Sequence, residues 1–166
     1  EGEFSDEWEN PVKIQKPVTS EMEGDTLILS GEGELYNRVI DHELAKHGVT
    51  RESLKKVVLQ EGFVNIDYAF SGCSSLEEVI LPESLKSIGI NAFKDCATLK
   101  SIQLPQGLQS IGTAAFEFTG LESIVFPKGL KSIGENAFQK SALKSITLQE
   151  GLERIDAGAF FACSEL

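Results

Sequence analysis

Apolar and polar residues alternate over short stretches that recur along most of the chain. In the stretch LKSIQL, Ile102 and Leu104 fall on one side and Ser101 and Gln103 on the other, which is typical of a short half-buried strand. Similar stretches recur every 22 or 23 residues and begin at Leu54, Leu76, Leu99, Leu121 and Leu143. The spacing predicts about five repeats of one supersecondary unit over residues 54–166.

An Ala–Phe pair occupies the same position in every repeat, and its phenylalanines are Phe70, Phe93, Phe116, Phe138 and Phe160. One repeat has too few apolar groups to fold alone, so the copies must stack and share a core. Stacked coils place equivalent side chains in columns, which predicts that these five rings form a structural ladder. Pro82, Pro105 and Pro127 end three of the strands, because proline cannot donate to a ladder. The pattern predicts an α/β repeat solenoid with a parallel sheet on one side.

The residues before the repeats predict a cap for the first coil, over residues 25–53. TLILS is expected to form a strand, GEGEL a turn, and RVIDHELAKH a helix that ends at Gly48. Thr50 is expected to cap one further turn. Residues 1–24 form an acidic lead-in, in which VKIQKPVTSEMEG is either an extra strand or an extended tether. Because Leu166 would open another repeat, we expect the array to be truncated, or its end to be covered by a second copy.

The repeat pattern LxxIxLPxxLxxIGxxAFxxCxxL resembles the BspA-type leucine-rich repeat of bacterial and parasite surface proteins, and GDTLILSGEGEL resembles the segment that opens such domains. The resemblance implies a leucine-rich-repeat right-handed coil with an N-terminal β/α cap. It also implies a secreted or surface-anchored protein that binds other macromolecules, without enzyme activity. Gln60 and Gln149 depart from the usual proline, and Asp67 and Asp156 from the usual glycine.

Charge and composition narrow the partners. The formal net charge of −11 argues against non-specific binding to nucleic acid or to anionic lipid, which both require a basic face. No apolar run approaches the roughly 18 residues of a transmembrane helix. No secretory signal is recognisable, so the signal has been removed, the chain starts after it, or the protein is intracellular.

Catalytic and metal-binding patterns are weak. His42 and His47 in HELAKH stand five residues apart, about 140° around a helix, whereas a shared zinc ion requires the spacing i, i+4. Cys73, Cys96 and Cys163 occupy a repeat position that also accepts Thr119 and Ser141. This position predicts free, buried thiols, and a Cys73–Cys96 disulfide is the disfavoured alternative. We expect no catalytic residues, metal or cofactor.

The outward positions of the predicted sheet form two stripes, and three members of the second are aliphatic. The first stripe is Lys56, Glu78, Ser101, Ser123 and Ser145, and the second is Val58, Ile80, Gln103, Val125 and Thr147. We predict that the second stripe binds a protein partner, with Lys56 and Glu78 at its rim. The alternative is that β-branched residues merely suit strands.

Lys55, Glu77, Lys100, Glu122 and Lys144 flank the stripes with alternating charge, which favours register control. The expected function is protein–protein interaction or adhesion outside the cell or at its surface, with a host extracellular protein as one candidate partner. A structural spacer is the alternative function, and self-association at the C-terminal end is a further candidate contact.

Overall fold

The computed structural model describes residues 15–166, so most of the acidic lead-in lies outside the described residues. The described part contains one helix and twelve short strands. The strands are β1 (Thr19–Glu23), β2 (Thr26–Ser30), β3 (Gly33–Tyr36), β4 (Lys56–Leu59), β5 (Phe63–Asp67), β6 (Glu78–Ile80), β7 (Ser87–Ile88), β8 (Ser110–Ile111), β9 (Ser123–Val125), β10 (Ser132–Ile133), β11 (Ser145–Thr147) and β12 (Arg154–Ile155). The helix is α1 (Asn37–Lys46).

The coils stack through two sets of parallel strands. The first sheet joins β1, β2, β4 and β6 in that order, and β9 pairs with β11 further along the same side of the repeats. The second sheet is continuous and runs β3–β5–β7–β8–β10–β12. The fold is therefore the predicted α/β repeat solenoid, because each repeat adds one coil to the stack.

The Ala–Phe segments form the third side of each coil and fill the core. The rings from Phe70 to Phe160 stack with centroid distances of 5.5, 5.3, 5.2 and 5.4 Å and interplanar angles of 7–11°. Backbone hydrogen bonds follow the same column, such as Phe93 N–H to Ala115 O at 2.8 Å and Phe116 N–H to Ala137 O at 2.7 Å. Aromatic side chain and main chain thus repeat together from coil to coil.

The segment before the repeats is itself a modified coil. Strand β2 pairs in parallel with β4 and β3 with β5, so it extends both sheets by one strand. Strand β1 adds antiparallel to β2, so residues 19–23 of the segment VKIQKPVTSEMEG form an extra strand, while residues 12–14 of that segment lie outside the described residues. The prediction that GEGEL is only a turn was wrong, because residues 33–36 continue the second sheet.

Helix α1 takes the place of an Ala–Phe segment in this first coil. Its Ile40 and Leu44 are buried, and His47 and Gly48 end it, with Gly48 at a φ of +65°. That left-handed backbone favours glycine, which confirms the predicted helix end. Thr50 caps the next turn by accepting a hydrogen bond from Ser53 N–H at 3.2 Å. Among the described residues, no helix is long and apolar enough to cross a membrane.

Candidate interaction face

The predicted partner-binding residues lie on the outer side of the coils, along the side that carries the first sheet and the β9–β11 pair, which we call the stripe face. Strand register brings Val58 beside Ile80 and Val125 beside Thr147, while Lys56 lies opposite Glu78 at the strand starts. The inward residues between them, such as Val57, Val79 and Ile124, are buried. Successive side chains of a strand point to opposite faces, so the stripe residues point outward because their neighbours point into the core.

The exposure of the aliphatic stripe residues is uneven. Val125 is 64% exposed and Ile80 is 50% exposed, whereas Val58 is half-buried. Gln103 is exposed and lies between the Val58–Ile80 pair and the Val125–Thr147 pair in coil order. The face therefore presents one exposed aliphatic side chain on each side of the Gln103 amide, namely Ile80 and Val125.

The third repeat interrupts the stripe face. Residues 101–103 align with β6 and β9 but form no strand, so the first sheet divides at this coil. A cleft of about 460 Å³ lies between the second and third repeats, bordered by Glu77, Glu78 and Glu83; we call it the acidic cleft. A second cleft of about 420 Å³ lies between the third and fourth repeats beside Val125; we call it the Val125 cleft.

The charge ladder beside the stripes contributes one close pair. Lys144 Nζ lies 3.9 Å from Glu122 Oε1, and no other neighbours in this ladder approach within 4 Å in the described part of the chain. Both side chains are at least half exposed. Ion pairs between such exposed side chains contribute at most about 1 kcal/mol to stability. The ladder therefore does little to lock the register of the coils.

A serine, a histidine and a carboxylate meet in the cap, which the sequence analysis missed. Ser20 Oγ donates to Glu43 Oε2 at 2.5 Å and lies 2.9 Å from His47 Nε2, and Lys46 Nζ donates to Glu43 Oε1 at 2.8 Å. Burial raises the pKa of Glu43, but the hydrogen bonds from Lys46 and Ser20 outweigh it, so the pKa lies below its ordinary value.

The order of these bonds argues against nucleophilic catalysis. In a catalytic triad the histidine accepts the serine proton and the carboxylate orients the histidine. Here the ionised Glu43 takes the only hydroxyl proton of Ser20, so His47 must donate to Ser20 rather than deprotonate it. The cluster fastens β1 to α1. The sequence does not predict this contact, because Ser20 and His47 are 27 residues apart and belong to no recognisable motif.

The three cysteines are free and buried, as predicted. Cys96 Sγ donates to Phe70 O at 3.2 Å and Cys163 Sγ to Phe138 O at 3.0 Å, both in the preceding repeat. At the equivalent position of the third repeat, Thr119 Oγ1 donates to Phe116 O of its own repeat at 2.9 Å. Burial raises the pKa of Cys73 to about 12, which disfavours the reactive thiolate. The column is thus a packing position whose small polar groups satisfy main-chain carbonyls. Within residues 15–166, no group of three or more His, Cys, Asp or Glu side chains could hold a metal ion.

Repeated coils, continuous core columns and a long outer face define a leucine-rich-repeat solenoid. The sequence model of the BspA type leucine-rich repeat region matches residues 47–166 in six copies, whereas the periodicity predicts about five. The chain therefore belongs to the BspA-type leucine-rich repeat family, as the resemblance of its repeats indicates. Proteins of this class are generally non-enzymatic interaction modules.

Solved structures share the fold. A leucine-rich repeat protein of T. pallidum is 26% identical over 90% of this chain and 77% of its own, with a TM-score of 0.71. Proteins of Eubacterium ventriosum and Bacteroides ovatus are 24% and 23% identical over 92% of this chain, with TM-scores of 0.77 and 0.63. The chain spans 42% and 45% of these two longer proteins. No protein of curated function matches the chain.

Proposed function

We propose that the protein is a secreted or cell-surface interaction module that binds a protein partner through the stripe face. The residues assigned to contact are Val58, Ile80, Gln103, Val125 and Thr147, with Lys56 and Glu78 at the rim. The observation that carries the proposal is the exposure of Val125 and Ile80, at 64% and 50%, on one face of a rigid stack. Localisation outside the cell rests on the likeness of the repeat to BspA-type surface proteins.

Rigid display is the proposed mechanism. Backbone hydrogen bonds hold most coils at fixed spacing, so the face is formed before a partner arrives and little ordering accompanies binding. Aliphatic groups surrounded by Ser and Gln side chains match the apolar centre and polar rim of protein interfaces. A host extracellular protein is one candidate for such a partner.

The test is capture of host extracellular proteins by the immobilised chain and by its Ile80→Glu/Val125→Glu variant. Two charges at the centre of the face should reduce capture at least about tenfold, since desolvating an unpaired carboxylate opposes binding. The matched control is Val64→Glu/Ile90→Glu, which changes two exposed aliphatic residues on another side of the coils.

Capture that depends on the control pair, or on neither pair, would contradict the assignment of the stripe face. Unchanged melting temperatures are expected for both variants, because exposed substitutions usually change stability by about 0.5 kcal/mol or less. If the parent chain captures no partner through any face, the alternative function is a spacer that holds another domain away from its support.

Self-association through the last coil is a second proposed contact. Its Leu148 and Ile155 are 49% and 45% exposed, whereas the equivalent Phe126 and Ile133 in the preceding coil are buried. A second copy could cover this apolar surface. Sedimentation equilibrium should then show a dimer that Ile155→Glu dissociates, and a concentration-independent monomer would exclude this contact.

A further inference from the structure

The stripe face lacks its hydrogen-bond ladder at the third repeat. Between neighbouring repeats elsewhere, Glu77 N–H bonds Lys55 O at 2.8 Å and Lys144 N–H bonds Glu122 O at 2.8 Å. Within the described chain, no backbone hydrogen bond joins residues 101–104 to the repeats on either side; the nearest is from Glu122 N–H to Lys100 O at 3.1 Å. Within residues 15–166, this segment therefore presents main-chain donors and acceptors that make no backbone hydrogen bond to a neighbouring coil.

The break is local, because the other sides of the stack stay closed. On the second sheet, Gln109 N–H bonds Lys86 O at 2.8 Å and Gly112 N–H bonds Ile88 O at 2.7 Å. The second repeat is also one residue longer than the third, and its extra Thr98 places Oγ1 3.0 Å from Ser74 O and 2.8 Å from Leu76 O. Thr98 thus anchors to the preceding coil just before the segment that fails to pair.

Unpaired main-chain groups beside open clefts are suited to a second extended backbone. Sheet edges bind added strands through main-chain hydrogen bonds, while side-chain contacts supply specificity. The acidic cleft and the Val125 cleft lie on the two sides of residues 101–104, and both are within the usual size of ligand sites. Residues 101–104 line both clefts.

The negative charge of the acidic cleft favours a basic ligand. Glu77, Glu78 and Glu83 are exposed at its border, and within residues 15–166 none of them lies within 4 Å of a cationic group. Ile80 and the partly buried Leu81 supply apolar surface beside them. Basic side chains would complement the border, and aliphatic portions of the same chain would cover the apolar part.

We propose that residues 101–104, together with the acidic cleft and the Val125 cleft, bind an extended peptide segment that carries Lys or Arg at alternate positions. The segment pairs its backbone with residues 101–104 and places its cations against Glu77, Glu78 and Glu83. This inference rests on the proposed function, since it names the chemistry of the partner at the centre of the stripe face.

The probe is the capped peptide Lys-Val-Lys-Thr-Lys-Val-Lys, titrated calorimetrically into the intact chain. A second peptide carries N-methyl groups on its five central amides, which keeps the charge and removes the donors. We expect measurable binding of the first peptide and at least about tenfold weaker binding of the second. Equal binding of the two peptides, or no binding of the first, would overturn the proposal.

Two protein variants separate specific recognition from attraction to an acidic chain. Glu77→Gln/Glu78→Gln/Glu83→Gln should weaken peptide binding at least about tenfold, whereas Glu150→Gln/Glu153→Gln/Glu165→Gln changes net charge equally at exposed positions of the last repeat and should weaken it little. Equal losses of peptide affinity in the two variants would also overturn the peptide-binding proposal. If the peptide fails while Ile80→Glu/Val125→Glu still abolishes protein capture, the stripe face remains the binding surface and only the proposed occupant is wrong.

Discussion

At the scale of single residues, the core columns explain why the repeat pattern is so strict. Each inner ring of the Phe column packs between two others, and Phe116 is fully buried between Phe93 and Phe138. Phe126 adds an edge contact to Phe138, with centroids 5.7 Å apart. A smaller side chain in the column would leave a cavity that two rigid coils cannot close, because both are held by backbone bonds.

Phe116→Ala is therefore expected to lower the free energy of unfolding by about 3–5 kcal/mol. The matched control is Phe118→Ala in the same repeat. Phe118 is 38% exposed and contacts the Lys140 ammonium at 5.3 Å from its ring centroid, so its loss should cost about 1 kcal/mol or less. Urea denaturation measures both values, and equal costs would contradict the buried column.

Some repeat glycines are required because the main chains of successive coils approach each other closely. A Cβ on Gly134 would lie 2.6 Å from the carbonyl carbon of Gly112 and 2.7 Å from Thr113 N. A Cβ on Gly129, in the same repeat, would meet no atom closer than 3.4 Å. Main chain, rather than a flexible side chain, blocks the first position.

Gly134→Ala should accordingly destabilise the protein by about 1–3 kcal/mol, since the second sheet would have to open. Gly129→Ala should change stability by less than about 0.5 kcal/mol. Thermal or urea unfolding of the two variants measures the difference. If both substitutions are tolerated alike, the coils are not as closely spaced as described.

At the scale of elements, the cap depends on a buried charge between β1 and α1. Glu43 is 2% exposed and accepts hydrogen bonds from Ser20 and Lys46. Because its pKa in the folded protein lies below the ordinary value of 4.5, Glu43 stabilises the folded state fully above that pH. This stabilisation is lost as the pH falls from 4.5 through the folded pKa.

Glu43→Gln should therefore lose less stability than the parent protein on acidification from about pH 5 to about pH 3. Denaturant midpoints measured across this range test the expectation, with Glu34→Gln as the control because Glu34 is an exposed residue of β3. Parallel pH profiles for the parent and Glu43→Gln would show that the Glu43 carboxylate does not hold the cap together.

At the scale of the whole molecule, much of the architecture was predictable, because one alternation repeated along the chain can satisfy its core only by stacking. The solenoid and the ends of α1 follow from such local patterns. The break at residues 101–104 does not, because SIQL alternates like its neighbours. The Ser20–Glu43–His47 contact likewise joins separate elements. The break and the Ser20–Glu43–His47 contact both depend on how segments distant in the sequence pack together, which the periodicity of the sequence does not predict.

The most direct test of the whole account is hydrogen exchange of individual backbone amides in the free protein. The stack is closed along the second sheet and open on the stripe face at the third repeat. We predict slow exchange at Gln109, Gly112 and Gly134, whose amides donate at 2.7–2.8 Å, and exchange at least about tenfold faster at Ile102 and Leu104. Exchange at Ile102 and Leu104 as slow as at Gly112 would show a continuous ladder there and contradict the account.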